Sequence, residues 1–115
     1  MNTMVELTET DFDQTLARAN LPVVVDVYAP GCGPCRVLAP LLDKMAGRLG
    51  DRIQSVKVNV QEAPGLAGRF HITGVPTLLF FKNGAVCDRV IGFSSPRDLA
   101  AKLNALLPDK MEAGV

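Results

Sequence analysis

Apolar stretches separated by polar and Gly/Pro-rich stretches divide the chain into predicted strands and helices. The β-branched and aromatic run Val23–Tyr28 predicts a strand that is covered on both faces of a sheet. Shorter apolar runs predict four more strands, at residues 4–7, 53–60, 77–81 and 86–91. Asn83-Gly84 favours a type I′ turn, so the last two strands are predicted to form a hairpin.

Apolar residues at helical spacing predict a long helix after the central strand, and Pro40 inside it is expected to kink it. Its apolar positions are Leu38, Leu41, Leu42, Met45 and Leu49. A first helix is predicted from Thr8 or Thr10 to about Asn20, and a short helix over residues 63–70. A last helix is predicted to begin at Ser95-Pro96. The order β-α-β-α-β-α-β-β-α predicts an α/β domain with a mixed sheet between helices.

Length and charge narrow the class of protein. The 115 residues suffice for one domain, 1–115, and we expect residues from about 108 onward to form a flexible tail. Twelve basic and twelve acidic side chains give a formal net charge of zero, which does not favour nucleic-acid binding. No apolar run is long enough to span a bilayer, and the first ten residues lack the features of a signal peptide. We therefore expect a cytoplasmic protein.

Cys32 and Cys35 lie in the Gly/Pro-rich turn between the central strand and the long helix. Two thiols at this spacing can close into a disulfide and open again, and in a reducing compartment such a pair is more often catalytic or metal-binding than structural. Cys32 stands at a helix N-terminus, where free N–H groups favour the thiolate, so it is the predicted nucleophile. Cys35, one turn further on, is the predicted resolving thiol.

The CxxC sequence and several other short motifs, taken together, resemble the thioredoxin family over nearly the whole chain. They are Val25-Asp26-Val27 with Ala29, Cys32-Gly33-Pro34-Cys35-Arg36, Pro40, Gly74-Val75-Pro76-Thr77, Lys82-Asn83-Gly84 and Gly92. The resemblance implies the thioredoxin fold, with about five strands and four helices, and a thiol-disulfide oxidoreductase that reduces protein disulfides. It further implies a protein without bound cofactor, recharged from NADPH through a flavin-dependent thioredoxin reductase. We expect it to act as a monomer.

Two charged residues stand in apolar surroundings. Asp26 lies within the valine-rich central strand, where burial is costly for a carboxylate and raises its pKa. The resemblance implies that Asp26 exchanges a proton with Cys35 during resolution. Lys57 lies between valines in the next strand. The resemblance implies that it approaches Asp26, although a solvated lysine at a strand edge is an equal alternative.

The resemblance also assigns a substrate-binding surface. It implies a cis Val75-Pro76 bond beside the cysteines, which exposes the backbone of Val75 to an extended substrate and keeps metal away from the thiols. Gly74 and Gly92 are expected to line the same groove, where a side chain would obstruct the substrate, with an ordinary role in a turn as the alternative for either glycine. Gly33-Pro34 is the dipeptide found in reducing members of the family.

The chain departs from the family pattern before the first cysteine. Gly31 stands where thioredoxins usually carry tryptophan, and Tyr28 stands where they usually carry tryptophan or phenylalanine. The loss of a flat apolar side chain at Gly31 is expected to affect the range of substrates and docking to a standard reductase.

Two other classes of function remain open from the sequence. Cys32, Cys35, Cys87 and His71 could nominally form a zinc site, although a second closely spaced ligand pair is missing. A noncatalytic interaction module on the same fold is the other alternative, and Gly31 favours a dedicated partner. Cys87 is otherwise expected to be a partly buried apolar residue, and His71 a surface loop residue.

Overall fold

The computed structural model describes residues 4–93 and 95–107, which form a five-stranded sheet flanked by four helices. The predicted tail from about residue 108 lies outside the described residues. The strands are β1 (Val5–Leu7), β2 (Val23–Tyr28), β3 (Gln54–Asn59), β4 (Thr77–Lys82) and β5 (Ala85–Ile91). The helices are α1 (Phe12–Arg18), α2 (Gly33–Leu49), α3 (Pro64–Arg69) and α4 (Pro96–Leu106). The predicted order of elements is confirmed.

The strands lie in the order β1-β3-β2-β4-β5, with β2 at the centre. β3 is parallel to both β1 and β2, whereas β4 is antiparallel to β2 and β5 is antiparallel to β4. The predicted mixed sheet is therefore confirmed. Within the described residues, no helix is long and apolar enough to cross a membrane.

Alternate residues of β2 point to opposite faces of the sheet and help to form two separate cores. Val23, Val25 and Val27 pack with α1 and α3, in a core that contains Phe12, Leu16 and Leu66. On the other face, Val24 packs with α2 and α4, in a core that contains Leu38, Leu42 and Leu103. This second face carries the cysteines, because they lie at the start of α2.

Several element boundaries differ from those predicted. The N-cap of α1 is Asp11 rather than Thr8 or Thr10, and the helix ends at Arg18 rather than near Asn20. The backbone N–H of Thr8 donates to the Asp11 carboxylate, and that of Asp11 donates to the Thr8 hydroxyl. These reciprocal bonds form a capping box in which Thr8, one of the two predicted caps, closes the turn that leads into α1, although the helix itself begins after Asp11.

Other local predictions are confirmed. Asn83 and Gly84 both have positive φ, at 55° and 81°, as a type I′ turn requires. Ser95 caps α4 by accepting a hydrogen bond from the backbone N–H of Asp98. Pro40 lies inside α2, which runs unbroken over 17 residues, and the expected kink stays a prediction.

Candidate active site

Cys32 and Cys35 are joined by a disulfide at the N-terminus of α2. Cys32 is the N-cap residue, and Gly33 and Pro34 form the first positions of the helix. The backbone N–H of Cys35 donates to Cys32 Sγ over 3.2 Å. After reduction, this free helical N–H and the helix dipole stabilise negative charge on Cys32 Sγ. The geometry therefore supports the prediction that Cys32 is the nucleophile.

The two cysteines differ in their access to solvent. Cys32 is half-buried, whereas Cys35 is only 4% exposed. A substrate disulfide approaching from solvent therefore meets Cys32 first. Cys35 lies behind it and is placed to attack the bond that Cys32 has formed.

Asp26 is 1% exposed, and neither of its carboxylate oxygens has a hydrogen-bond partner among the described residues. It lies opposite Leu78 on β4 and two residues after Val24 on β2. Because every second residue of a strand points to the same face, Asp26 points to the α2 side of the sheet, as Val24 does. Burial raises the pKa of Asp26 to about 6, and the charge of Lys57 opposes this rise. A carboxyl group with this pKa can both accept and release a proton near neutral pH.

Lys57 stands directly beside Asp26, because the two residues are partners in the register of β2 and β3. Its ammonium lies 5.8 Å from the centroid of the Tyr28 ring. Lys57 is half-buried and forms no ion pair with Asp26 within the described residues. Lys57 therefore lies next to Asp26, as predicted, and acts on it through its charge without forming a salt bridge.

The Val75-Pro76 peptide bond is cis, as the resemblance implied. The Val75 carbonyl oxygen lies 3.9 Å from Cys32 Sγ, which places this turn against the disulfide. The turn is closed by the Thr77 hydroxyl, which donates to the Gly74 carbonyl over 2.7 Å. Gly92 joins the same site, since its N–H donates to the Pro76 carbonyl over 2.7 Å.

The Gly/Pro-rich turn predicted ahead of the long helix has a conformation that the sequence analysis did not specify. Gly31 has φ of +80°, and the Cys32 N–H donates to the Ala29 carbonyl over 3.3 Å. Pro30 and Gly31 thus occupy the central positions of a type II turn, which requires positive φ at the second of them. The Pro-Gly pair was the signal in the sequence. Glycine at this position therefore has a backbone role in addition to leaving out a side chain.

Tyr28 forms a second contact that the sequence did not indicate. Its hydroxyl donates to Glu6 Oε2 over 2.6 Å and ties the end of β2 to the edge strand β1. Partial burial and this hydrogen bond to Glu6 raise the pKa of Tyr28 to about 12. The hydroxyl therefore remains protonated and keeps its donor role near neutral pH.

Cys87 and His71, the other two residues of the nominal zinc set, do not belong to a metal-binding cluster among the described residues. Cys87 is exposed on β5, so the expectation that it would be partly buried is wrong. β5 is an edge strand, and the residues at its start project into solvent. His71 is exposed in the turn after α3, as expected. In the described part of the chain, no group of three or more His, Cys, Asp and Glu side chains could hold a metal ion.

Comparisons with known proteins agree with this geometry. The thioredoxin family model matches residues 3–105. Thioredoxin 1 of Synechococcus elongatus is 38% identical over 104 residues, which cover 90% of this chain and 97% of that protein. Thioredoxin of Pyropia yezoensis is 40% identical over 99 residues, which cover 86% and 92% of the two chains. Chloroplastic thioredoxin M-type of Pisum sativum is 37% identical over 103 residues, and this chain spans 60% of that longer protein.

These matches extend over the disulfide, the buried aspartate and the cis-proline turn. The residues matched by the family model include all five strands as well as the CxxC site. The chain belongs to the thioredoxin family and is a thiol-disulfide oxidoreductase with a redox-active Cys32–Cys35 pair.

Proposed function

We propose that the protein reduces disulfide bonds in other proteins, with Cys32 as attacking thiolate and Cys35 as resolving thiol. The observation that carries this proposal is the disulfide at the N-terminus of α2, with the Cys35 N–H directed at Cys32 Sγ. A thiolate is the nucleophile in thiol-disulfide exchange, and this position stabilises it.

The reaction has two exchange steps. The Cys32 thiolate attacks one sulfur of the substrate disulfide, and the other substrate sulfur leaves as a thiolate. Cys35 then loses its proton and attacks Cys32 Sγ, which releases the second substrate sulfur and closes the Cys32–Cys35 disulfide. Two electrons pass from the protein to the substrate, whose two thiolates take up protons.

Asp26 is proposed to accept the proton of Cys35 in the second step. Support comes from its burial on the α2 side of the sheet and from its raised pKa of about 6. Lys57, its neighbour on β3, is proposed to stabilise the carboxylate that forms when the proton leaves Asp26.

Substrate binding is proposed to use the groove around Val75. The backbone of Val75 lies against Cys32, and an ideal Cβ added to Gly74 or Gly92 would meet no atom within 4 Å. This open space supports the approach of an extended substrate segment, which could pair with the backbone of Val75. Gly31 is proposed to border the same surface, and Gly33 and Pro34 to tune the redox pair.

Recharging of the disulfide is proposed to come from a thioredoxin reductase, with electrons from NADPH through its flavin. The oxidoreductase itself then needs no bound cofactor. We propose that it works in the cytoplasm as a monomer. One of the relatives is chloroplastic, so the compartment in which this protein works does not follow from its redox chemistry. Cell fractionation would test the proposed cytoplasmic location.

The test is a trapping experiment in a Cys87→Ala background, which removes the exposed third thiol. Cys35→Ser keeps the attacking thiol and lacks the resolving one, so it should accumulate mixed disulfides with oxidised substrate proteins. Cys32→Ser, the matched control, should accumulate far fewer. Mass spectrometry of non-reduced adducts measures both. Equal trapping by the two variants would show that the roles are wrong, and no trapping by either would overturn the proposed reductase activity.

A further inference from the structure

A cavity of about 290 Å³ opens beside the disulfide, and neither the Val75 turn nor Gly92 is among the residues that line it. Its walls include Tyr28, Pro30, Gly31 and Cys35, and its two charged wall residues are Arg36 and Lys57. None of the residues that line it, all in the described part of the chain, is acidic. The cavity therefore presents two cations next to the buried sulfur of the redox pair.

Arg36 is the cation with no compensating partner. Within residues 4–93 and 95–107, its guanidinium forms neither an ion pair nor a hydrogen bond. Lys57, in contrast, already acts on Asp26 and lies over the Tyr28 ring. Glu6 and Glu62 lie toward the Tyr28 hydroxyl and do not line the cavity. Arg36 is therefore the free charge available to a ligand.

The position of Arg36 couples it to the reacting atoms. It directly follows Cys35, and its backbone N–H donates to the Cys32 carbonyl over 3.2 Å, one helical turn away. Residues four apart on a helix are neighbours on its surface. Arg36 and Cys32, the residue to which the substrate bonds, are therefore neighbours at the start of α2.

Gly31 keeps the entrance to this cavity open. An ideal Cβ at Gly31 would meet no atom within 4 Å, and no side chain extends from this residue over the space between the turn and Arg36. The positive φ of Gly31 also disfavours any other residue there. The turn thus exposes a basic recess beside the disulfide.

We propose that this cavity is a specificity subsite for a carboxylate side chain, Asp or Glu, that lies close to the half-cystine of the substrate protein. Arg36 binds the carboxylate, and the planar guanidinium can do so through two hydrogen bonds. The inference rests on the proposed reductase function and adds the class of substrate that the site prefers.

The experiment compares synthetic peptides with one intramolecular disulfide and a single Glu at one of four positions flanking a half-cystine. Each has a matched peptide with Gln at that position. The pre-reduced Cys87→Ala protein is mixed with each peptide, and the second-order rate of peptide reduction is measured without any reductase. At the position that reaches Arg36, we expect the Glu peptide to react about three- to tenfold faster at low salt.

Arg36→Gln should abolish this preference, so that the ratio of the rates with the Glu and Gln peptides falls to about one, and this ratio is the readout because the charge of Arg36 also acts on the redox pair itself. Arg48→Gln is the matched control, because Arg48 is an exposed arginine in the last turn of the same helix. It should keep the preference. The preference should also shrink as salt is raised, since salt screens partly exposed charges.

The outcomes separate the two proposals. Equal rates for Glu and Gln peptides at all four positions, with both reduced, would overturn the subsite and leave the reductase function standing. A preference that survives Arg36→Gln would overturn the role of Arg36. If no peptide is reduced, the proposed function itself fails.

Discussion

The two faces of the sheet differ in whether they bury an ionisable side chain. On the α1/α3 face, the buried polar residue is Thr77, whose hydroxyl donates to the Gly74 carbonyl. The rest of that core is apolar, and Phe12, Phe70 and Phe81 pack with ring centroids 5.7–5.9 Å apart. On the α2/α4 face, a similar apolar core ends at Asp26, a carboxyl group without a hydrogen-bond partner among the described residues. Both faces stabilise the fold through apolar packing, but the second face loses part of that stability to the burial of Asp26.

This difference shows which part of the fold loses stability because it carries a group proposed to act in the reaction. An uncompensated buried carboxylate destabilises a fold, and Asp26 is the residue to which the proposed mechanism assigns a proton transfer. Packing of the aromatic cluster on the α1/α3 face contributes free energy of folding that offsets the burial of Asp26. Substitutions of Phe12 on the first face and of Asp26 on the second should therefore have opposite effects on stability.

The largest effect is expected from Phe12→Ala on the α1/α3 face. Phe12 is 2% exposed and contacts both other rings of the aromatic cluster, so its removal leaves a cavity between α1, α3 and β4. We expect a loss of about 3–5 kcal/mol in the free energy of unfolding of the oxidised protein. Urea denaturation measures it.

The same variant tests whether the faces are separate. Under conditions where Phe12→Ala is still folded, its rate of mixed-disulfide formation should match that of the parent protein. A loss below about 1 kcal/mol would contradict the assigned role of the aromatic cluster. A changed exchange rate in the folded variant would show that the two faces are coupled.

The next effect has the opposite sign and concerns Asp26→Asn. The folded pKa of Asp26, about 6, lies above the ordinary aspartate pKa of 3.8, so the folded state binds the proton more tightly than the unfolded state. Stability from this group is complete below about pH 4 and is lost as pH rises through 6. The difference corresponds to about 3 kcal/mol at pH 8.

We therefore expect Asp26→Asn to match the parent protein near pH 4 and to exceed it by up to about 3 kcal/mol at pH 8. Resolution of the mixed disulfide should slow and lose its dependence on pH near 6. Denaturation across this range, with single-turnover exchange, measures both. An unchanged pH profile of resolution would remove Asp26 from the mechanism.

Asp88→Asn is the matched control, because it should change stability with pH in the opposite direction to Asp26→Asn. The hydrogen bond from Lys102, followed by that from the Arg89 backbone, lowers the pKa of Asp88. Asp88 therefore contributes stability that is present at neutral pH and is lost in acid. Its removal should lower stability slightly at pH 7 and have no effect once the carboxyl is protonated.

The smallest effect is expected from Gly31→Ala at the active-site end. Because φ is +80° there, a Cβ strains the backbone, and we expect a loss of about 1–2 kcal/mol although the space around it is empty. Gly68→Ala is the control, since Gly68 lies within α3, also with open space around it and without positive φ. It should be neutral or stabilising by up to about 1 kcal/mol. Equal effects of the two substitutions would contradict the assigned turn.

Much of the fold follows from local patterns in the sequence. The apolar run Val23–Tyr28 determined the central strand, and Asn83-Gly84 determined the hairpin, because strand and turn preferences depend on neighbouring residues. The spacing of Cys32 and Cys35 determined the redox pair in the same way. Asp26 was recognisable as buried because the residues around it are apolar.

Contacts between distant segments were decided by the tertiary structure. Val75 reaches Cys32 across 43 positions, and Glu6 reaches Tyr28 across 22, because the strand order brings these segments together. Cys87 is exposed on the edge strand β5, at the position that is skipped in the register with β4, which its own residues do not reveal. Arg36 and Lys57 line one cavity for the same reason. Local preferences fix elements, whereas the packing of the whole chain fixes which side chains meet.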